Sequence, residues 1–395
     1  MPNMVKVILK NLLTVALSLL LSFILLEGLL RIFQPIEHQV RGNKIWLPQD
    51  RKYQLTNDKT EKLDKIIYTS RNHMGFRGES PPQNFAEHVT IIAVGGSTTA
   101  CELISDHKTW CDLLAAKLKT KYKLLWLNNA GLDGHSTYGH IVLMEDFIIK
   151  IRPKVVLFLV GANDIGLEAP RIYDQDQFKK PLPGIVSPWW DRLVNKSEVL
   201  IYSINFFRFY KAKKRGLTHT LWNFHEKNQF DIPAEEIPLI LQEQKQKYLP
   251  PYAERLNRLI EISRQNSIEP IFITQPSVLG DLFDPTTGIN LARVNSTGWN
   301  GRVYWQVLEL YNDVTRKIAA EQKVGLIDLG RKMPKRTEYY YDLYHYTNAG
   351  CQQVAEIIYQ NLYPLLKNMQ FSADNFKQSA PFTPALSLRR GRGSS

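Results

Sequence analysis

The chain has 395 residues, 44% of them hydrophobic and 22% charged. This is a globular composition, not a disordered one, and the length suits a single α/β domain with insertions. A net charge of +12 would suit nucleic acid, an anionic membrane surface or an acidic polysaccharide. No zinc-ligand pairs, RNP-like strand or basic heptad region accompanies it, which argues against nucleic acid. A solvated basic surface is the simpler reading.

The first element in chain order is apolar. Leu12 to Leu26 reads LLTVALSLLLSFILL, and the stretch to Phe33 can cross a hydrocarbon core of about 30 Å at about 1.5 Å per residue. Glu27 and Arg31, four apart near one end, can pair or reach the interface. No small-x-small cleavage site follows, so residues 1–34 read as an uncleaved membrane anchor and not as a removed signal peptide. Lys6 and Lys10 precede the span; Arg31, Arg41, Lys44, Arg51 and Lys52 follow it. A positive-inside count would leave the large domain in the cytoplasm, but large domains translocate largely regardless of charge. Charge alone does not settle the side.

Residues 35–85 form a polar, extended lead-in carrying RNHMGFRGE (71–79). Short apolar runs rich in β-branched residues predict strands at 88–94, 123–130, 154–160, 269–275 and 324–329. Helical periods predict helices at 110–122, 138–151, 253–265 and 303–322, and from about Asn348 to Leu366. This alternation makes βαβ units, and strands apolar on both faces make a parallel sheet covered on both sides. The expected fold over 86–368 is a three-layer α/β/α sandwich with a doubly wound parallel sheet.

Two stretches interrupt the rhythm: an inserted cap at 165–250 and a loop rich in Gly, Asn and Thr at 277–302. Residues 369–395 read as a disordered basic tail. Within the insertion, FFRFYKAKKR (206–215) fits a membrane surface as well as it fits a half-buried helix with a solvated basic face. Trp189, Trp190 and Trp222 pack the cap or stack on sugar rings. Three cysteines, Cys101, Cys111 and Cys351, leave at least one unpaired. A Cys101–Cys111 bridge would need an oxidising compartment and a geometry that spacing does not supply.

Chemistry concentrates after the predicted strands, where open α/β sheets gather their catalytic groups. Ser97, in AVGGSTTA, follows the first strand, and Gly95 and Gly96 permit a tight turn that would set it at a helix N-terminus. On its own this is equally an ordinary Gly-Gly-Ser loop with Ser97 as an N-cap. Asp342 and His345, in YDLYHYTNAG, lie three apart before the final helix. There the carboxylate can fix the imidazole tautomer and leave the other nitrogen for Ser97. Asn163 in VGANDI can donate a side-chain amide to an oxyanion, while Gly161 lets substrate approach the backbone. Gly134 in NNAGLDGHST can present a backbone N–H to the same point. Each is also a common turn residue. His135 reads as a surface imidazole, and Arg77 as a pin between lead-in and domain. The nine histidines have no metal-ligand spacing, and neither metal nor cofactor is expected.

Together these blocks resemble the SGNH/GDSL hydrolase family. GGST is similar to its nucleophile block, NAGLDGHS to the block carrying the oxyanion glycine, GAND to the asparagine block and DLYH to the closing Asp–His block, in the family's order and over roughly 70–365. The resemblance implies a flavodoxin-like SGNH fold with Ser97, Asp342 and His345 as a catalytic triad. It also implies an oxyanion hole from Ser97, Gly134 and Asn163. One departure is visible: the usual Gly-Asp-Ser is Gly-Gly-Ser, with Gly96 in place of the aspartate. NHMGFRG and GGSTT resemble a membrane-tethered bacterial subgroup, which implies a single-pass protein with its domain on the extracytoplasmic, periplasmic side.

The expected activity is ester hydrolysis of O-acyl groups, O-acetyl preferred, on an extracytoplasmic carbohydrate or lipid. An O-acyltransferase would use the same residues, and a catalytically silent envelope scaffold is the rival from another class. Substrate and membrane are the expected partners.

Overall fold

The structure, a computed structural model, describes residues 2–33, 40–41, 44–168, 196–214, 219, 221–296 and 298–369. Trp189, Trp190 and the tail at 370–395 lie outside them. The chain divides into two units, Met1–Pro48 with Ile172–Thr218, and Gln49–Arg171 with His219–Ser395.

In chain order the elements are helix α1 (Pro2–Phe33), the antiparallel hairpin β1 (Arg51–Thr56) and β2 (Ile66–Arg71), β3 (Val89–Gly95), α2 (Ser97–Ala100), α3 (Trp110–Lys119), β4 (Leu125–Asn129), α4 (Thr137–Leu143), β5 (Val155–Val160), α5 (Glu198–Lys214), α6 (Leu249–Gln265), β6 (Glu269–Thr274), α7 (Gly301–Glu321), β7 (Gly325–Ile327) and α8 (Asn348–Asn368). Shorter turns of helix lie between them.

In the larger unit, five strands form one sheet in the order β7-β6-β5-β3-β4. Every pairing in it is parallel. The order reverses between β3 and β5, the switch point where such sheets open a crevice at their carboxyl ends. Every residue of β3 and β5 is buried, which fits continuous apolar runs covered on both faces. The three-layer α/β expectation is met. The lead-in contains more structure than an extended strap, since 51–71 folds back into the β1–β2 hairpin. Arg77 then fastens the segment: its buried guanidinium donates to the carbonyls of Ala100, Cys101 and Ile104 and pairs with Asp106 at 2.8 Å. An arginine buried to that degree persists only when its donors are satisfied.

The three cysteines are free and buried. The Cys101–Cys111 bridge is absent, and the Cys101 thiol donates to the Thr98 carbonyl at 3.3 Å.

In the smaller unit, α1 contains Met4–Phe33, a span long and apolar enough to cross a membrane. The Glu27–Arg31 pair forms, at 2.6 Å.

Candidate active site

β3 ends in Gly95, and the chain turns through Gly96 into the one-turn helix α2, whose first residue is Ser97. Three bonds brace the turn. The Trp110 indole N–H donates to the Thr98 carbonyl at 3.0 Å, Thr98 Oγ1 donates to Gln275 at 3.1 Å, and the Asn129 amide donates to the Thr99 carbonyl. Gly131 packs flat against this turn, since a Cβ there would lie 2.3 Å from the Ala100 nitrogen. A serine held at this sharp turn keeps its hydroxyl accessible while its backbone N–H stays outside the helical ladder.

Before α8 the chain forms a tight loop around Asp342, whose Oδ1 accepts the backbone N–H groups of Tyr344 at 2.9 Å and His345 at 2.8 Å. Its Oδ2 lies 2.6 Å from His345 Nδ1, and His345 Nε2 lies 2.7 Å from Ser97 Oγ. Residues 248 positions apart thus meet in one hydrogen-bonded line. Burial would raise the Asp342 carboxyl's pKa, but His345 and the two backbone N–H groups overcome it and hold the pKa below the usual range. An ionised carboxylate fixes the proton of His345 on Nδ1, which leaves Nε2 to accept from Ser97.

Asn163 follows β5 in a short turn that begins at Gly161. Gly161 has φ +122°, a region that disfavours side chains. A Cβ there would only make ordinary contacts with Asn312, Gln275 and Tyr252. Backbone conformation therefore favours glycine here whatever the space around it. The Asn163 amide donates one hydrogen to the His135 carbonyl at 3.0 Å and keeps a second donor. Gly134, at φ +72°, lies next to His135. Among the described residues, the N–H groups of Ser97 and Gly134 have no intrachain acceptor. Two backbone donors and one amide hydrogen thus stay unused among the described residues.

The missing aspartate of Gly-Asp-Ser also has a geometric reason. A Cβ on Gly96 would lie 2.2 Å from Asn163 Nδ2 and 3.1 Å from the His135 carbonyl oxygen. In this chain the amide of Asn163 fills the space that any side chain at position 96 would need.

His135 is buried, not exposed as expected, and so is His140. Burial pushes His135 down to about 4 against the opposing pull of Asp133. Burial and His135 push His140 down to about 3. Both stay neutral at neutral pH.

Sequence reasoning missed His219. Its ring lies 4.3 Å from the His345 ring, centroid to centroid. Its Nε2 is 2.7 Å from Asp133 Oδ2 and its Nδ1 is 2.9 Å from the Tyr341 hydroxyl. The Tyr341 ring in turn stacks on His345 at 5.4 Å, with planes 10° apart. Burial lowers the His219 pKa, but the charge and hydrogen bond of Asp133, with Asp342 and Glu102 behind, raise it to about 9. A lone cation here would oppose a charge on His345; paired with Asp133, it does so far less. No spacing signal links His219 to Asp133, which lies 86 residues earlier. Only Asp133's place directly before Gly134 hinted at the site.

Among the described residues no cluster of His, Cys, Asp and Glu could hold a metal ion. A comparison with proteins of curated function found no match. Similar solved structures include the acetyl xylan esterase AlAXEase, at 16% identity and TM-score 0.38 over 68% of this chain and 98% of that one. Axe2, an acetylxylan esterase from Geobacillus stearothermophilus, is 15% identical at TM-score 0.38 over 72% and 94%. LAE5, an alpha/beta hydrolase enzyme from the metagenome of Lake Arreo, Spain, is 13% identical at TM-score 0.39 over 70% and 97%. These likenesses are too remote to carry a substrate. The sequence profile of the GDSL-like lipase/acylhydrolase family, however, matches residues 93–353, from within β3 into α8 and well over half of the chain. By that match the chain belongs to the GDSL-like lipase/acylhydrolase family and is an ester-hydrolysing serine enzyme.

Proposed function

We propose that Ser97, His345 and Asp342 are the catalytic triad of an esterase acting on O-acyl groups, O-acetyl preferred, of an extracytoplasmic carbohydrate, held at a membrane by α1. The observation that carries this reading is the continuous hydrogen-bonded line from Asp342 through His345 to Ser97, at 2.6 and 2.7 Å. His345 Nε2 takes the hydroxyl proton as Ser97 Oγ bonds to the ester carbonyl carbon. The carbonyl π pair moves onto oxygen, where the Ser97 N–H, the Gly134 N–H and the Asn163 amide receive it. Collapse breaks the bond to the alcohol, which leaves with the proton from His345, and the acyl group stays on Ser97. Water, deprotonated by His345, then attacks the acyl-enzyme; the second collapse returns the serine and releases the acid.

His219 and Tyr341 pack on His345, Asp133 pairs with His219, and the Trp222 backbone N–H donates to the Tyr341 carbonyl at 2.8 Å. Polar groups and aromatic faces in that arrangement favour a hydroxylated substrate over a long acyl chain. Extracytoplasmic placement rests on the resemblance to tethered proteins, and membrane attachment on the apolar length of α1.

The test is labelling of the full chain in detergent with a fluorophosphonate, comparing wild type with Ser97→Ala and His345→Ala. The expected result is labelling of wild type alone. A folded wild type that stays unlabelled would turn the reading to a silent scaffold. Acetate release from an acetylated sugar, with and without an unacetylated acceptor, then separates hydrolysis from O-acyl transfer: a transferase would pass the acetyl group to the acceptor.

A further inference from the structure

α1 is 32 residues long, about 48 Å at about 1.5 Å per residue, and exceeds a hydrocarbon core of about 30 Å. The excess length lets its last turns, which carry the Glu27–Arg31 pair, reach the headgroup layer. Glu27 sits in those turns, where an unsatisfied carboxylate facing lipid would be expensive. It is instead saturated with donors. Glu27 accepts from Ser197 Oγ at 2.8 Å, from the Glu198 N–H at 2.9 Å and from the Val199 N–H at 3.0 Å, besides its pair with Arg31. Ser197, Glu198 and Val199 form the N-terminus of α5, so a side chain of α1 caps a helix about 170 residues away, at 170 to 172 positions' separation. The cap complements the positive end of the α5 dipole. It also fixes the depth at which α5 starts.

From that point α5 runs as EVLIYSINFFRFYKAKK. Ser203, Phe206, Phe207 and Tyr210 recur at helical spacing and are all exposed; the three aromatic residues are 72%, 57% and 57% exposed. Three large rings in one exposed stripe are unusual on a surface that meets only water. Aromatic rings concentrate at the membrane–water interface. The sequence around the stripe is basic, with Arg208, Lys211, Lys213, Lys214 and Arg215. That charge excludes insertion of α5 into hydrocarbon and suits anionic headgroups.

We infer that α5 is an interfacial membrane helix, docked at the headgroup layer by the Glu27 cap and bound to lipid through Phe206, Phe207 and Tyr210. This rests on the reading of α1 as a membrane-spanning anchor, and the test separates the two. The full chain is reconstituted in vesicles of phosphatidylcholine and phosphatidylglycerol, with an environment-sensitive fluorophore on Leu19→Cys or on Ser203→Cys. The chain without an added cysteine serves as the blank, because Cys101, Cys111 and Cys351 are buried. Lipids spin-labelled near the headgroup or deep in the acyl chains act as quenchers.

The Leu19 probe should be quenched by deep labels, and the Ser203 probe should be blue-shifted and quenched by shallow ones. A quenched Leu19 probe with a Ser203 probe in water would overturn the interfacial helix and leave the anchor standing. Two probes in water would overturn the anchor, and α5 with it. Glu27→Ala, or Phe206→Asp with Tyr210→Asp, should abolish shallow quenching at Ser203 and leave the Leu19 signal unchanged. Unchanged quenching at Ser203 in both variants would refute the cap and the aromatic stripe as its cause.

Discussion

At the scale of single residues, the arrangement turns on the space shared by Gly96 and Asn163. A Cβ at position 96 would lie 2.2 Å from Asn163 Nδ2, the end of a side chain that can swing away at little cost to the fold. The amide would then leave the oxyanion site proposed for it. Gly96→Ala should therefore stay folded and lose turnover by roughly 10²–10³, the usual penalty for one oxyanion donor. The double variant Gly96→Ala/Asn163→Ala should be no worse than Asn163→Ala alone, because both act through the same amide. Steady-state hydrolysis of p-nitrophenyl acetate, with circular dichroism as the folding control, checks both statements; additive losses would refute the shared cause. Asp342→Asn should lower turnover by about 10⁴, since an amide permits the wrong tautomer of His345.

At the scale of elements, the turn after β5 is tied to α4 and α6 by one buried ion pair. Asp164 accepts the Thr137 N–H at 3.1 Å and pairs with Arg255 of α6 at 3.1 Å, while Arg255 Nε donates to Thr137 Oγ1 at 2.6 Å. Asp164 is 1% and Arg255 6% exposed. Removing one partner leaves the other charge buried, so Asp164→Ala should destabilise the fold by about 3–5 kcal/mol. Replacing both by apolar residues should cost much less. Urea unfolding of the two variants measures the difference, and equal losses would count against this account. Asp164 is the residue after Asn163, so the pair also sets where the Asn163 amide stands. The GAND block was legible as a motif, yet its aspartate's partner was not, because Arg255 lies 91 residues away and comes close only when α6 packs.

At the scale of the whole molecule, histidines shape stability against pH from both sides. His135 and His140 have folded pKa values of about 4 and about 3, against 6.5 when unperturbed. Below 6.5 the unfolded chain takes up protons that these two refuse, so stability falls as pH drops from 6.5 towards 4. His219 has the opposite sign. Its folded pKa is raised to about 9, so its contribution is complete below 6.5 and is lost as pH rises through about 9. Thermal unfolding from pH 4 to 10 should show both flanks. His140→Leu should flatten the acid flank, and Asp133→Asn the alkaline one; a profile unchanged by Asp133→Asn would remove the His219–Asp133 pair as its source.

By itself the sequence determined what local pattern carries: the apolar length of α1, the five strands and their helices, and the four blocks bearing Ser97, Gly134, Asn163, Asp342 and His345. Period and composition encode burial of a strand or of a helix face, and each block follows a strand whose end it must occupy. The tertiary structure decided what depends on residues far apart in the chain meeting in space. It buried His135, left Cys101 and Cys111 unlinked, set His219 against His345 and placed Glu27 at the start of α5. It also filled the space beside Gly96 with the Asn163 amide. Such contacts leave no periodic trace, because sheet order and helix packing alone bring their partners together.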